Sequence, residues 1–223
     1  MNFLALAQRG SFEAGLQGPG PSAVESQVNM NQHFIDWTRQ AWIDIQRARD
    51  WSFMKKKAVF NTVIGDNEYT LGDINVTDFR RWLDLKGKQK IGETAADESP
   101  LTWYTFEEFE SIYGVGTPSA TRPTIVTWSD DNLITFNTLP DKVYSVTLPY
   151  IKAPQVFENS ADEPTGLDED LHMIIVWKVL ESYALFDQAP DVIARYQSHY
   201  PQMFTNMRER YLPKTRIVPS ALA

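Results

Sequence analysis

The sequence predicts an α+β fold in which a discontinuous helical bundle encloses an inserted antiparallel β domain. Helical periodicity occurs near both ends of the 223-residue chain, and short runs of β-branched and aromatic residues fill the middle. Two helical segments separated by a sheet can bury their apolar faces by packing together, so we expect one helical domain built from both ends. The predicted boundaries are 1–54 with 153–212 for the helical bundle, 55–152 for the β domain and 213–223 for an extended C-terminal tail.

A long amphipathic helix is predicted over about 22–49. Gly18-Pro-Gly-Pro21 cannot continue a helix, and Ser22-Ala-Val-Glu25 has the spacing of a capping box. Two further helices are predicted over 167–186 and 190–211, with Pro201 expected to kink or break the last one. The core that these helices are expected to share comprises Val28, Ile35, Trp42, Ile45, Ile174, Ile175 and Leu185.

Strand signals recur through the middle of the chain. The segments 58–64 and 68–71 are separated by Gly65-Asp-Asn67, an arrangement that predicts a hairpin. Further strands are predicted over 79–85, 124–128, 133–137 and 143–151. Thr105-Phe-Glu-Glu108 is a second capping box, which predicts a short helix that continues to about Tyr113 and ends at Gly114.

Composition excludes several classes of function. The absence of cysteine removes disulfides, thiolate zinc sites, iron–sulfur clusters and cysteine nucleophiles. The formal net charge of −8 disfavours tight binding to nucleic-acid phosphates. No apolar run approaches the roughly 20 residues of a membrane-spanning helix. The short apolar N-terminus has no basic residues ahead of it, so a signal peptide is not expected.

Two acidic clusters are the strongest candidates for a catalytic or metal site. Glu107, Glu108 and Glu110 could supply an acid–base pair, but carboxylates on a short helix more often form a solvated face. The second cluster consists of Asp168, Glu169, Asp170 and His172. It could bind a metal, but carboxylates at the start of a helix are explained by the helix dipole.

No other motif in the sequence supports an enzymatic function. Asp130-Asp-Asn132 lacks the spacing of a calcium loop and is expected to form a turn. The sequence contains no P-loop, no Gly-x-Gly-x-x-Gly and no Gly-x-Ser-x-Gly. The basic clusters at 55–57 and 86–90 are explained by protection of strand edges and by solubility. We therefore predict no enzymatic activity, no bound metal and no cofactor.

Two sets of segments resemble a known family. The first set is Trp37-Thr-Arg-Gln-Ala-Trp-Ile-Asp-Ile-Gln46, Asp50-Trp-Ser-Phe53, Thr62-Val-Ile-Gly65 and Tyr69-Thr-Leu71. The second set is Leu139-Pro-Asp141, Val143-Tyr-Ser-Val-Thr-Leu-Pro-Tyr150, Pro154, Pro164, Asp170-Leu-His172 and Ile175-Val-Trp177. In this order they resemble the head-to-tail adaptor (connector) proteins of tailed bacteriophages, especially short-tailed ones, and share the layout of the tail tubular protein A group. The resemblance covers about 22–211.

The resemblance implies a structural virion protein. Such a protein forms a ring, commonly of twelve copies, between the portal protein and the tail or nozzle protein, and it lines the DNA channel. Double-stranded DNA is expected to pass through without tight binding, and neither a cofactor nor a membrane is involved. The expected location is the head-to-tail interface of the virion, with the host cytoplasm before assembly.

The C-terminal tail supplies the predicted docking residues. Pro213 and Pro219 bracket this segment and prevent a helix. Within it, Ile217 and Val218 are expected to bury apolar area on a partner while Lys214 and Arg216 meet carboxylates. The portal protein is the first expected receiver and a neighbouring subunit the second.

A monomeric β-rich binding module of a phage tail or host-recognition apparatus is the competing interpretation. It requires exposed aromatic residues on one sheet face, for which Trp103, Tyr104 and Trp128 are the candidates, and no long helix. The long predicted helices argue against it.

Overall fold

The computed structural model describes residues 1–83 and 89–213. The described residues divide into two compact units, one formed by 1–54 with 154–213 and the other by Lys55–Ala153. The described residues contain five α-helices: α1 (Phe3–Glu13), α2 (Met30–Arg47), α3 (Phe106–Tyr113), α4 (Met173–Asp187) and α5 (Pro190–Tyr211). All except α3 belong to the first unit, here called the helical unit, and both sheets belong to the second, the β unit. The predicted α+β class is confirmed.

The core of the helical unit contains most of the residues predicted for it. Ile35, Trp42 and Ile45 of α2 and Ile174 and Ile175 of α4 are fully buried, as their spacing predicts. They place one face of α2 and one face of α4 inside the unit. This is the stripe that an amphipathic helix buries.

Helix α1 was not predicted, and it completes this core. Its Phe3 and Leu6 are fully buried, and the Phe3 ring stacks on Phe157 with ring centroids 4.9 Å apart. The Asn2 side chain caps the helix by accepting a hydrogen bond from the backbone N–H of Ala5 at 2.9 Å. The combination of an Asn cap with apolar residues three and four positions apart is the signal that could have found it.

The start of α2 and the outer face of α4 correct the sequence analysis. Helix α2 begins at Met30 rather than near 22, because Ser26 and Asn29 adopt φ angles of 56° and 55°, which no α-helix accommodates. Val28 therefore lies outside the helix and is 70% exposed, so its predicted burial is wrong. Leu185 of α4 is also 70% exposed, so its predicted burial is wrong as well, and the preceding residue Ala184 is buried instead.

Helix α5 contains a proline in its interior. It is continuous over 22 residues and is not broken at Pro201, contrary to one of the predicted outcomes. Thr205 lies one turn after Pro201, and its hydroxyl donates a hydrogen bond to the Pro201 carbonyl at 2.9 Å.

The β unit contains two sheets packed around one core. The strands are β1 (Lys55–Asn61), β2 (Glu68–Tyr69), β3 (Phe79–Trp82), β4 (Lys90–Gly92), β5 (Ser99–Pro100), β6 (Thr102–Trp103), β7 (Ile125–Trp128), β8 (Ile134–Phe136) and β9 (Ser145–Lys152). One sheet has the order β1-β9-β4-β5, with β3 also paired to β9, and the other has the order β2-β8-β7-β6. The second sheet is mixed rather than wholly antiparallel, because α3 carries the chain across to a parallel pairing of β6 with β7.

The hairpin predicted from residues 58–71 does not form. Strand β1 pairs instead with β9, from Lys55 opposite Ile151 to Asn61 opposite Ser145, and β2 pairs with β8 in the other sheet. The turn at Gly65 carries the chain between the sheets, and the ring centroids of Phe60 and Tyr69 lie 5.4 Å apart within the core. The turn was correctly located, but its strands face each other across the core.

The short helix α3 matches its prediction closely. Both reciprocal hydrogen bonds of the capping box between Thr105 and Glu108 are present, and the helix is capped at its other end by Gly114. Phe109 is buried against the β unit while the two neighbouring glutamates are exposed.

Candidate assembly surfaces

The second acidic cluster forms an ion-pair network with α5. Arg210 donates to Asp168 at 2.8 Å and to both carboxylate oxygens of Asp170 at 2.8 and 2.9 Å. The hydrogen bond from Arg210 lowers the pKa of Asp170 below its ordinary value. Within residues 1–83 and 89–213, no three His, Asp or Glu side chains are grouped as metal ligands would be. The ion pairs of Arg210 with these carboxylates therefore link the end of α5 to the turn that precedes α4.

His172 belongs to the interior of the helical unit. It is 2% exposed, its Nε2 lies 3.1 Å from the Leu167 carbonyl oxygen, and its Nδ1 lies 2.7 Å from the amine nitrogen of Met1. Both ring nitrogens therefore already have polar partners.

The first acidic cluster lies on α3. Glu108 accepts hydrogen bonds from the Thr105 backbone N–H at 3.1 Å and from the Thr105 hydroxyl at 3.0 Å, so its carboxylate serves the cap. Glu107 and Glu110 are exposed on the same helix. Asp130 lies in the turn between β7 and β8, as expected.

The aromatic residues required by the competing interpretation are partly buried. The rings of Trp103 and Trp128 stack with centroids 5.3 Å apart, and Trp128 meets Trp82 of the other sheet at 5.8 Å. Tyr104 is also partly buried. These side chains contribute to packing between the sheets, whereas a sugar-binding platform would hold their faces open.

The basic residues at 55–57 begin an edge strand. Among the described strands, β1 is at the edge of its sheet and pairs only with β9. Charged side chains on such an edge disfavour pairing with other chains. Lys56 donates to Asp78 at 2.6 Å, and Asp78 also accepts from the Tyr150 hydroxyl at 2.8 Å. Partial burial raises the pKa of Asp78, but these two hydrogen bonds outweigh burial and leave the pKa below its ordinary value.

Exposed apolar side chains cluster where β1 ends. Val59, Val63, Ile64 and Val143 are 61%, 58%, 62% and 53% exposed. The Thr62 backbone N–H donates to the Tyr144 carbonyl at 2.8 Å, which places Val63 beside Val143. Sequence analysis missed this surface because the alternation in β1 does not reveal which face meets the second sheet.

A second apolar surface lies on the helical unit. His33 and Trp37 of α2 and Phe186 of α4 form an aromatic group with ring centroids 5.1 to 5.6 Å apart. Phe186 is 55% exposed, and Leu185 beside it is largely exposed as well. Exposed apolar groups of this kind commonly mark surfaces that an assembly buries.

The predicted docking residues Lys214, Arg216, Ile217 and Val218 lie outside the described residues. None of the described helices is long and apolar enough to cross a membrane.

A family model for the SU10 adaptor protein matches residues 1–220. The chain belongs to the SU10 adaptor protein family. This membership confirms the resemblance to phage head-to-tail adaptors, and it extends over residues 1–21, to which the sequence analysis assigned no role. The SU10 adaptor family is a family of phage structural proteins, which makes this chain a component of the phage particle. A comparison with curated protein sequences found no match.

Proposed function

We propose that this SU10-family adaptor forms a ring of identical subunits, with twelve as the expected number, between the portal protein and the tail of a phage particle. The family match over residues 1–220 carries the proposal. Exposed apolar surfaces on both units support it, because a ring subunit must contact two neighbours as well as the proteins above and below the ring.

The ring lines the channel through which the genome leaves the head. A formal charge of −8 per subunit supports a passage that repels phosphate, so DNA slides during ejection without being held. In this proposal the protein works by shape and contact alone, with no catalytic step and no cofactor. Subunits accumulate in the host cytoplasm and join the particle during assembly.

The C-terminal tail binds the portal protein in this proposal. Ile217 and Val218 supply apolar contact area, and Lys214 and Arg216 pair with carboxylates of the portal. A variant that lacks residues 213–223 should keep the melting temperature of the full chain and lose co-assembly with the portal. A matched variant with Lys214→Ala and Arg216→Ala separates the ionic contribution from the apolar one. Unimpaired co-assembly of the truncated chain would contradict the tail's role.

Native mass spectrometry of the purified chain, with and without the portal protein of the same phage, tests the ring. We expect a complex whose mass contains a fixed multiple of the 25.6 kDa subunit bound to the portal. A chain that stays monomeric and unbound at every portal concentration would contradict the proposed function.

A further inference from the structure

The edge strand β1 begins with three consecutive lysines, Lys55, Lys56 and Lys57. Lys56, Lys90 and Lys142 each form an ion pair, with N–O distances of 2.6, 2.9 and 2.9 Å. Within the described parts of the chain, Lys55 and Lys57 form none. In a chain of net charge −8, two such cations on one strand point to an acidic partner.

The same face of β1 is basic at one end and apolar at the other. Ala58 and Phe60 point into the core, so the alternating residues Lys57 and Val59 point outward. Val59 is 61% exposed, and no described strand pairs with β1 on the side away from β9. We call this outward row, Lys55, Lys57 and Val59, the β1 face.

Helix α3 combines exposed acidic residues with exposed apolar ones, so its charge is opposite to that of β1. Glu107 and Glu108 occupy its first turn, while Ile112 near its end and Val115 just beyond it are 56% and 93% exposed. All four side chains are exposed, whereas Phe109 of the same helix is buried. We call Glu107, Glu108, Ile112 and Val115 the α3 face. Carboxylates near a helix start also stabilise their own helix, but that does not explain two exposed aliphatic side chains after them.

The spacing of charged and apolar groups agrees between the two faces. Lys57 and Val59 are separated by about 6.6 Å along a strand. Glu108 and Ile112 are separated by about 6 Å along one face of α3, and Glu107 lies about 100° around the helix from Glu108. A helix laid over the strand can therefore place a carboxylate on Lys57 while Ile112 covers Val59.

We propose that the α3 face of one subunit docks on the β1 face of a second copy of this chain. The proposal deepens the proposed ring, on which it rests. Each subunit uses its α3 face for one neighbour and its β1 face for the other, and repetition of this head-to-tail contact closes a ring when the rotation allows. The ion pairs select the register, and burial of Val59, Ile112 and Val115 adds apolar area.

Disulfide trapping tests the contact directly, because the chain has no cysteine of its own. Val59→Cys and Ile112→Cys are prepared as separate variants and mixed, with Asp130→Cys as the control for Ile112→Cys. Under mild oxidation during assembly with the portal, we expect covalent dimers in the Val59→Cys plus Ile112→Cys mixture. Neither variant alone should give them, and the control mixture should give at least about tenfold less.

Particle mass measured in the same samples separates the two proposals. Assembled particles without the expected cross-link would overturn the docking contact and leave the ring intact. Cross-links equal to the control, or links from Val59→Cys to another virion protein, also contradict it. A chain that never assembles with the portal overturns the ring and this contact together.

Charge reversal provides an independent test. Lys57→Glu alone and Glu107→Lys alone should each weaken self-association about tenfold, and the double variant should recover most of that loss. Glu107 is chosen because Glu108 is needed for the cap of its own helix. Asp130→Lys makes the same charge change outside both faces and should have little effect. Equal losses in the single and double variants would refute the pairing.

Discussion

The helical unit and the β unit differ in how much of their structure is visible in the local sequence. In the helical unit, each helix buries a stripe that is visible in its own sequence, such as Ile35, Trp42 and Ile45 on α2. In the β unit, the longest pairing joins Lys55 to Ile151 and Asn61 to Ser145, strands at opposite ends of the unit's sequence. Local periodicity can therefore show that a helix exists, but it cannot name the partner of a strand.

The two units also differ in how exposed apolar groups arise. On the helical unit, Leu185 is 70% exposed near the end of α4, and Phe186 is 55% exposed although its ring packs against His33 and Trp37. On the β unit, Val59 belongs to an edge strand and Val115 to a loop, positions where a monomer normally places polar residues. This difference makes the β unit the more specific candidate for a subunit contact.

The largest expected effect is on the core of the helical unit. Trp42→Ala removes a fully buried ring that stacks near Phe157 and donates to the Gln155 side chain at 3.1 Å. It should lower the free energy of unfolding of this unit by about 4 kcal/mol. Denaturant melts followed by far-ultraviolet circular dichroism measure this value.

The exposed residue Leu185 provides the control for that experiment. Leu185→Ala should change the free energy of unfolding by less than about 0.5 kcal/mol. A loss comparable with that of Trp42→Ala would show that Leu185 is buried after all and that the assignment of the α4 faces is wrong.

A smaller loss in the free energy of unfolding is expected from a substitution at the centre of the β unit. Leu148→Ala on β9 empties a fully buried position between the two sheets and should cost about 3 kcal/mol. Hydrogen exchange measured in both units of this variant tests whether the two units unfold independently. Faster exchange confined to the β unit is the expected result, and equal acceleration in the helices would show that the units unfold as one.

The capping box of α3 should contribute less to stability than the buried core residues do. Thr105→Ala removes the hydroxyl that accepts from the Glu108 backbone N–H at 3.3 Å, and should cost about 1 kcal/mol of local stability. Hydrogen exchange at the Glu108 amide measures it. Ser111→Ala on the same helix is the control and should leave that amide protected.

The smallest effect concerns pH. Asp78 has a folded pKa below its ordinary value, so it stabilises the folded β unit above about pH 4 and loses this contribution as the pH falls through the folded pKa. The melting temperature of Asp78→Asn should therefore fall less steeply between about pH 5 and pH 3 than that of the parent chain. Parallel curves would show that the ion pair with Lys56 contributes nothing, as partly exposed pairs sometimes do.

Sequence reasoning succeeded where a structure depends on neighbouring residues. The Thr105 box predicted α3 and its bounds, and the β-branched runs located β7, β8 and β9. It failed at Asn29, where backbone geometry outside the helical region ends a periodic pattern that would otherwise continue. The hairpin failed for a related reason, because a turn at Gly65 fits a hairpin and a crossing between sheets equally well.

The candidate surfaces were harder to predict than the fold. Glu107 and Glu108 were identified as an acidic cluster, but Val59 and Ile112 gained significance only when the sheets fixed which side faces solvent. Exposure is a property of the whole fold, and it is not encoded by any one segment.

Cryo-electron microscopy of the phage particle that carries this chain tests the central claim most directly. We expect a closed ring of this protein between the portal and the tail, with the β unit of each subunit contacting the next through α3 and β1. A particle in which this chain is absent, or lies away from the head-to-tail interface, would contradict the proposed function.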